Sequence, residues 1–335
     1  MVSQSPRLRY APPMTVSISG WQRTKLWAYE HMVIGSLETT MRLAGRWSKE
    51  RAERHDVTIT RNIPYREGGG WDHQLDIYQP AGDGPHPVAL YIHGGGFQYF
   101  DRTTHWMMAG ALARAGFLTF NISYRCAPQH PYPAAAEDAA AACVWVQQNA
   151  AHYGGDASRP VWAGESAGAN LVLALTIASC YERPEPWAKA VWATNPNPAV
   201  ILPACGYLEI TRPERHQAER TIPGWMQGRI HRVSDAYLPD HATPSPEHVL
   251  ASPLTLLETA GPTDRPLPAC LAVVGEDDPV QGDTLRLPAA LQRLGAVAES
   301  KVYEGHHAFH ALWWKEAAQQ AWADQLVFIE EHRTA

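Results

Sequence analysis

Continuous apolar runs that alternate with helical spacing constrain this chain more than any other feature. Val88–Ile92 is a continuous apolar run ending in glycines, and Leu118–Ile122 and Val161–Ala163 also read as strands. Between and after them, Thr104–Ala115, Ala134–Ala151 and Ala169–Cys180 have helical character. Strands buried on both faces and joined by helices predict a parallel sheet with right-handed crossovers. Ahead of this repeat, Val57–Thr60 and Gln74–Tyr78 read as two further strands, the second stopped by Pro80 and a turn-rich stretch. The regularity stops near Pro196, and Pro213–Pro253 is rich in His and Pro, holds Trp225 and shows no strand alternation. It resumes with a strand at Cys270–Val274, a helix at Thr284–Leu294, a strand at Ser300–Tyr303 and a helix at Leu312–Glu331. An interruption with the same sheet continuing afterwards predicts an inserted lid.

The N-terminal stretch differs from the rest. Leu26, Trp27, His31, Ile34, Leu37, Met41 and Leu43 recur mostly three or four apart, which predicts an amphipathic helix within Trp21–Arg51. The expected organisation is a helical cap segment at 1–55, a core at 56–198, a cap insertion at 199–252 that includes the end of a core strand, and the rest of the core at 253–335. With 28 Lys and Arg against 34 Asp and Glu, the net charge of −6 and the lack of a basic cluster exclude a nucleic-acid binder. The longest apolar run, Ala139–Val146, is far short of the ~18 residues of a membrane span. Five scattered cysteines without C-x-x-C spacing read as free thiols, and the default location is cytoplasmic.

Gly164-Glu165-Ser166-Ala167-Gly168 stands between a predicted strand and a predicted helix. That is the context of the G-x-S-x-G elbow, where small neighbours let a nucleophilic serine occupy a strained turn. The following helix directs its positive end at the reacting centre. His93-Gly94-Gly95-Gly96-Phe97 follows the earlier strand Val88–Ile92. Its glycines free backbone amides to face an anion, and Gly94 and Gly95, with Ala167, are the expected oxyanion donors. Phosphate-loop spacings are absent, which argues against a nucleotide. His93 is expected to orient the loop, and Glu165 to brace the elbow.

These motifs resemble those of the bacterial hormone-sensitive lipase family of α/β-hydrolases: H-G-G-G-[FW] at His93–Phe97 and G-[DE]-S-A-G at Gly164–Gly168. Tyr124–Ala135 is similar to its Y-R-L-A-P-E-H-x-F-P-A-A segment. The similarity runs from about Leu75 to the C-terminus and is weakest in Ala199–Ser252. The resemblance implies a mostly parallel eight-stranded α/β-hydrolase sheet with a helical cap built partly from the N-terminus. It also implies carboxylic-ester hydrolysis on short-acyl small molecules, with no metal or organic cofactor.

In such a topology the acid and the base follow the elbow in that order. Glu276-Asp277-Asp278-Pro279 ends a strand, and Pro279 biases Asp278 to an extended conformation. Asp278 also fits the family's D-P-[LV] pattern, with Asp277 and Asp283 as alternatives. His306-His307-Ala308-Phe309-His310 holds the base. His307 matches the family's H-G-F with Ala308 in place of glycine, and His306 stays open as an alternative. Phe97, Tyr207, Trp225 and Met226 are candidate pocket residues, and the tryptophans in general are expected in core or cap packing. Another acyl bond, such as an arylformamide or lactone, and a receptor without turnover are the rival readings. The Ser300–Tyr303 strand is an expected sheet edge through which two copies could pair as a homodimer.

Overall fold

The computed structural model describes residues 35–36, 38–43, 56–241 and 245–333. The chain divides into two compact units, 1–37 and 38–335. Only Gly35 and Ser36 of the first are described; the sheet and its helices belong to the second. Residues 38–43 are helical, but most of the expected 1–55 cap segment lies outside the described residues.

Eight strands form one sheet: β1 (Thr58–Pro64), β2 (Gln74–Gln79), β3 (His86–Ile92), β4 (Leu118–Ile122), β5 (Gly155–Glu165), β6 (Val200–Ala204), β7 (Ala269–Gly275) and β8 (Ala298–Tyr303). Their order is β1-β2-β4-β3-β5-β6-β7-β8. The pairs β1–β2 and β2–β4 are antiparallel, and every other pair is parallel. Burial follows position, as the apolar patterns predict. Every residue of β4 and β6 is buried, whereas edge strand β1 alternates between exposed and half-buried residues.

Helices α1 (Trp106–Arg114), α2 (Ala134–Asn149), α3 (Ala167–Cys180) and α4 (Pro186–Thr194) fill the crossovers of the first part. All fourteen residues of α3 are buried, so it carries no exposed stripe, and its Asn170, Thr176 and Ser179 donate to backbone carbonyls. In α2 the alanines allow close approach, with Ala135, Ala139 and Ala142 in the main core beside Trp162 and Leu173. Helix α4 has no counterpart among the expected elements; its Pro at the first turn suits a helix start. After β6 come α5 (Arg215–Glu219), α6 (Gly224–Tyr237) and α7 (Pro253–Thr259), and then α8 (Gln281–Arg293) and α9 (Glu316–Arg333) flank the final strands.

Strand β6 lies between β5 and β7, within the 199–252 segment expected to include the end of a core strand, and the chain leaves the sheet after Ala204. Pro203, which cannot donate to a ladder, hides this strand in the sequence. The β6–β7 register accordingly pairs Val200, Ile201 and Ala204 and skips Leu202 and Pro203. The tryptophans also divide: Trp162 is fully buried, but Trp71, Trp225, Trp313 and Trp314 are exposed.

A buried polar knot ties the antiparallel end to the parallel core. Arg102, with no exposed surface, donates to Asp76 (2.9 Å), Asn62 (2.5 Å), Gln74 (2.8 Å), Ser123 (3.0 Å) and the carbonyl of Trp71 (3.1 Å). Its guanidinium lies 4.0 Å from the centre of the Trp71 ring. Such saturation is what a buried cation requires.

Candidate active site

Four loops at the carboxyl ends of β3, β5, β7 and β8 converge, the usual place for a site in an open parallel sheet. Gly164 and Gly168 explain the turn after β5. A Cβ at Gly168 would fall 2.0 Å from the carbonyl oxygen of Ile92, and one at Gly164 would fall 2.7 Å from the backbone of Gly168. Between them Ser166 sits at φ 52°, ψ −113°, outside the ordinary regions for a side-chain-bearing residue. Its amide donates to Ala204 at 2.8 Å, and its carbonyl accepts from Asn170 at 3.2 Å and Tyr207 at 3.3 Å.

The Ser166 hydroxyl lies 3.0 Å from Nε2 of His307, whose Nδ1 lies 2.8 Å from Oδ2 of Asp278. Asp278 is fully buried and its Oδ1 accepts the amide of Val280 at 2.9 Å. Its backbone oxygen accepts from Arg220 at 2.6 Å, a contact from the excursion that carries no sequence signature. About a third of the His307 side-chain surface stays open. Burial alone would lower its pKa, but the charge and hydrogen bond of Asp278 outweigh that and hold it above the ordinary histidine value.

The alternatives lie elsewhere. His306 is largely exposed, 3.8 Å from the exposed Asp277. Asp283 is buried and accepts the amides of Leu208 and Glu209 at 2.8 and 3.1 Å, with Arg215 against its other oxygen. Ala308 adopts φ 59°, the left-handed conformation that glycine takes more easily.

Beside Ser166, the glycine loop is held from beneath. A Cβ at Gly94 would meet Glu165 at 2.6 Å, and one at Gly95, where φ is 113°, would fall 2.1 Å from the oxygen of Tyr99. His93 donates from Nδ1 to the Gly94 carbonyl at 2.7 Å. Burial and the neighbouring His105 push its pKa down to about 3, so it is neutral in this role. Glu165 faces His105 at 3.4 Å and His310 at 3.3 Å. Burial raises its pKa, but the two imidazoles prevail and hold it well below the ordinary carboxylate value.

Phe97 is buried and stacks on Tyr237 of α6 with ring centres 3.6 Å apart. Tyr207 is buried, its hydroxyl 2.6 Å from that of Ser234. Trp225 stands in solvent and Met226 is half-buried. Helix α6 also presses Val233 toward Gly96, where a Cβ would meet it at 3.0 Å. A cavity of about 620 Å³ between α1 and α9, lined by Trp106, Trp322 and His310 among others, lies apart from Ser166. Tyr237, Val233, His105 and Arg220 had no sequence signal, because each acts through a contact distant along the chain.

With this geometry in hand, the comparisons with known proteins define the class. Residues 89–311 match a family described by the alpha/beta hydrolase fold. The chain belongs to that family, in keeping with its resemblance to the hormone-sensitive lipases. It is similar to the carboxylesterase NlhH of Mycobacterium tuberculosis, 48% identical over 86 residues, which is 25% of this chain and 27% of that protein. The acetyl esterase of Salmonella schwarzengrund is 30% identical over 224 residues, 66% of this chain and 65% of that protein. The first curated relatives are thus matched over little more than a quarter of their own length. Among solved structures, the esterase LipW of Mycobacterium marinum superposes with a TM-score of 0.73 at 28% identity, covering 90% of this chain and 88% of that one. A Pyrobaculum calidifontis esterase shares the fold, with a TM-score of 0.67 at 23% identity over 94% and 98% of the two chains. No helix among the described residues is long and apolar enough to cross a membrane.

Proposed function

We propose that the protein hydrolyses carboxylic esters of small molecules with short acyl groups, through an acyl-enzyme on Ser166. The observation that carries the reading is the unbroken relay of 3.0 and 2.8 Å from Ser166 through His307 to Asp278. His307 takes the hydroxyl proton as Ser166 attacks the carbonyl, then returns it to the leaving alcohol. Asp278 holds the proton of His307 on Nδ1 and stabilises the imidazolium that forms. The amides of Gly94, Gly95 and Ala167 receive the oxyanion, and their donors contribute most when the charge develops. Water, activated by the same imidazole, then releases the acid. No metal or organic cofactor enters these steps.

Short acyl groups are favoured because α6 closes on the glycine loop through Val233 and Tyr237. In this reading the helices between β6 and β7 are the cap, and Phe97, Tyr207, Trp225 and Met226 belong to its pocket side. The acetyl esterase relative is consistent with that preference. Edge strand β8, with Val302 exposed, is the surface through which two cytoplasmic copies would pair.

The test is a p-nitrophenyl ester series from acetate to decanoate on the wild type and Ser166→Ala, with fluorophosphonate labelling in parallel. Turnover that falls with chain length and vanishes in the variant is expected. Absence of labelling at Ser166 in the folded protein would return the chain to a binding role.

A further inference from the structure

We propose that Cys205, Asp278 and His307 form an inhibitory site for a thiophilic divalent cation of the zinc class. Their ligand atoms, one sulfur, one carboxylate oxygen and one ring nitrogen, all lie within 4.8 Å of one another. Cys205 follows β6 directly. Its amide donates to Val273 of β7 at 2.8 Å and its φ is 49°, a turn that brings its thiol against Asp278 and the backbone of Ala308. Cys205 is fully buried, and the mechanism above makes no use of its thiol.

The donor set selects the ion. Four-coordinate zinc binds S, N and O at about 2.0–2.3 Å, which separates neighbouring ligands by about 3.3–3.8 Å. Closing the cluster around an ion therefore needs shifts of about 1 Å, with water in the fourth position. A thiolate and a carboxylate together neutralise a divalent cation, as a buried charge requires. Hard ions such as magnesium and calcium, which need about six oxygens or more, find only one carboxylate among these ligands, whereas a set with sulfur and imidazole suits zinc or cadmium. The open third of His307 is the exposed edge of the cluster and offers the way in.

Proton bookkeeping explains the inhibition. In the resting site the thiol holds one proton and Nδ1 of His307 holds another, shared with Asp278. Metal on sulfur and Nδ1 sends one of these to solvent and leaves the other on Nε2. Nε2 then points an N–H at Ser166 and can no longer accept the hydroxyl proton. No electron is transferred and no bond between heavy protein atoms changes.

The inference uses the esterase reading only for its activity readout, so binding is measured separately. Zinc is titrated into p-nitrophenyl acetate hydrolysis by the wild type, Cys205→Ala and Cys205→Ser in a non-chelating buffer. The cadmium–thiolate absorption band is followed in the wild type, Ser166→Ala, His307→Ala and Cys205→Ala. Inhibition reversed by a chelator is expected, with the half-inhibiting concentration raised at least about tenfold in both Cys205 variants, the loss that even an outer-shell partner produces. The band should form in the wild type and Ser166→Ala, weaken in His307→Ala and disappear in Cys205→Ala. Equal zinc sensitivity without Cys205, or a band that ignores His307, overturns the proposal. A Ser166→Ala protein that still turns over ester would instead overturn the esterase reading, while the band continues to report the metal. Cys205→Ser keeps a side chain of similar size, so a folding failure of Cys205→Ala does not remove the test.

Discussion

Replacing Asp278 by Asn changes one atom, yet the surroundings dictate which one. Oδ1 accepts the amide of Val280 at 2.9 Å, so the oxygen of the new side chain stays there. Its NH₂ group is then the one that faces Nδ1 of His307, 2.8 Å away in the wild type. Because NH₂ donates, Nδ1 must become an acceptor, and the ring proton moves to Nε2. That nitrogen is 3.0 Å from Ser166 and needs a free lone pair to act as base. The expected loss in kcat is about 10⁴-fold, the size known for this substitution in such triads, or about 5.5 kcal/mol at ~1.36 kcal/mol per decade. The pH profile gives a second readout. Burial lowers the His307 pKa and Asp278 raises it by more, so in the wild type the acid limb of kcat/KM lies above the ordinary 6.5. In Asp278→Asn the largest raising influence is gone, burial prevails over the weaker charge of Glu165, and the limb moves to lower pH. The sign for stability is the opposite: a raised histidine pKa stabilises the fold below its unfolded value and loses that contribution as pH rises through the folded one. The variant should therefore be more destabilised at about pH 5.5 than at about pH 8.5. Initial rates on p-nitrophenyl acetate across pH, corrected with Ser166→Ala, and thermal melts at both pH values measure this. A rate within tenfold of the wild type at neutral pH, or an acid limb that does not move, refutes the reasoning.

Gly95→Ala adds a Cβ 2.1 Å from the Tyr99 oxygen at φ 113°, so the loop must move and its amide leaves the site; kcat should fall about 10²–10³-fold, as for a lost oxyanion donor, checked by steady-state rates on protein of intact circular dichroism. Arg102→Gln leaves buried Asp76 with only the more distant Arg61, 3.9 Å away, and a loss of about 3 kcal/mol in a urea unfolding curve is expected. Glu165→Gln removes a carboxylate whose pKa is depressed between two imidazoles. A depressed acid stabilises the fold above its unfolded pKa and loses that contribution as pH falls through the folded value, so the variant should lose about 1–3 kcal/mol at neutral pH. The difference from wild type should close in strong acid, which paired unfolding curves would show.

Much of this architecture is legible in the chain because its signals are local. Buried parallel strands such as Val88–Ile92 need apolar residues on both faces, and that leaves an unbroken run in the sequence. The elbow is legible because glycine must stand at 164 and 168 for steric reasons that any backbone of this shape would impose. Strand β6 is half hidden by Pro203, and α4 escapes notice because Pro and Trp around Lys189 dilute its pattern. Trp313 and Trp314 face solvent although their composition reads as core.

Ser166 and the glycines around it follow from covalent and steric rules that act over a few residues, so the sequence alone determined them. The distances between Ser166, Asp278 and His307 follow from the sheet, which brings together side chains 141 and 29 positions apart. Only folding decided that His307 rather than His306 faces inward, and that Asp278 rather than Asp283 meets it. Neighbouring side chains point in different directions, and their partners come from other strands. The same holds for Cys205: as a residue it is one of five free thiols, and only the turn after β6 sets it against Asp278 and His307.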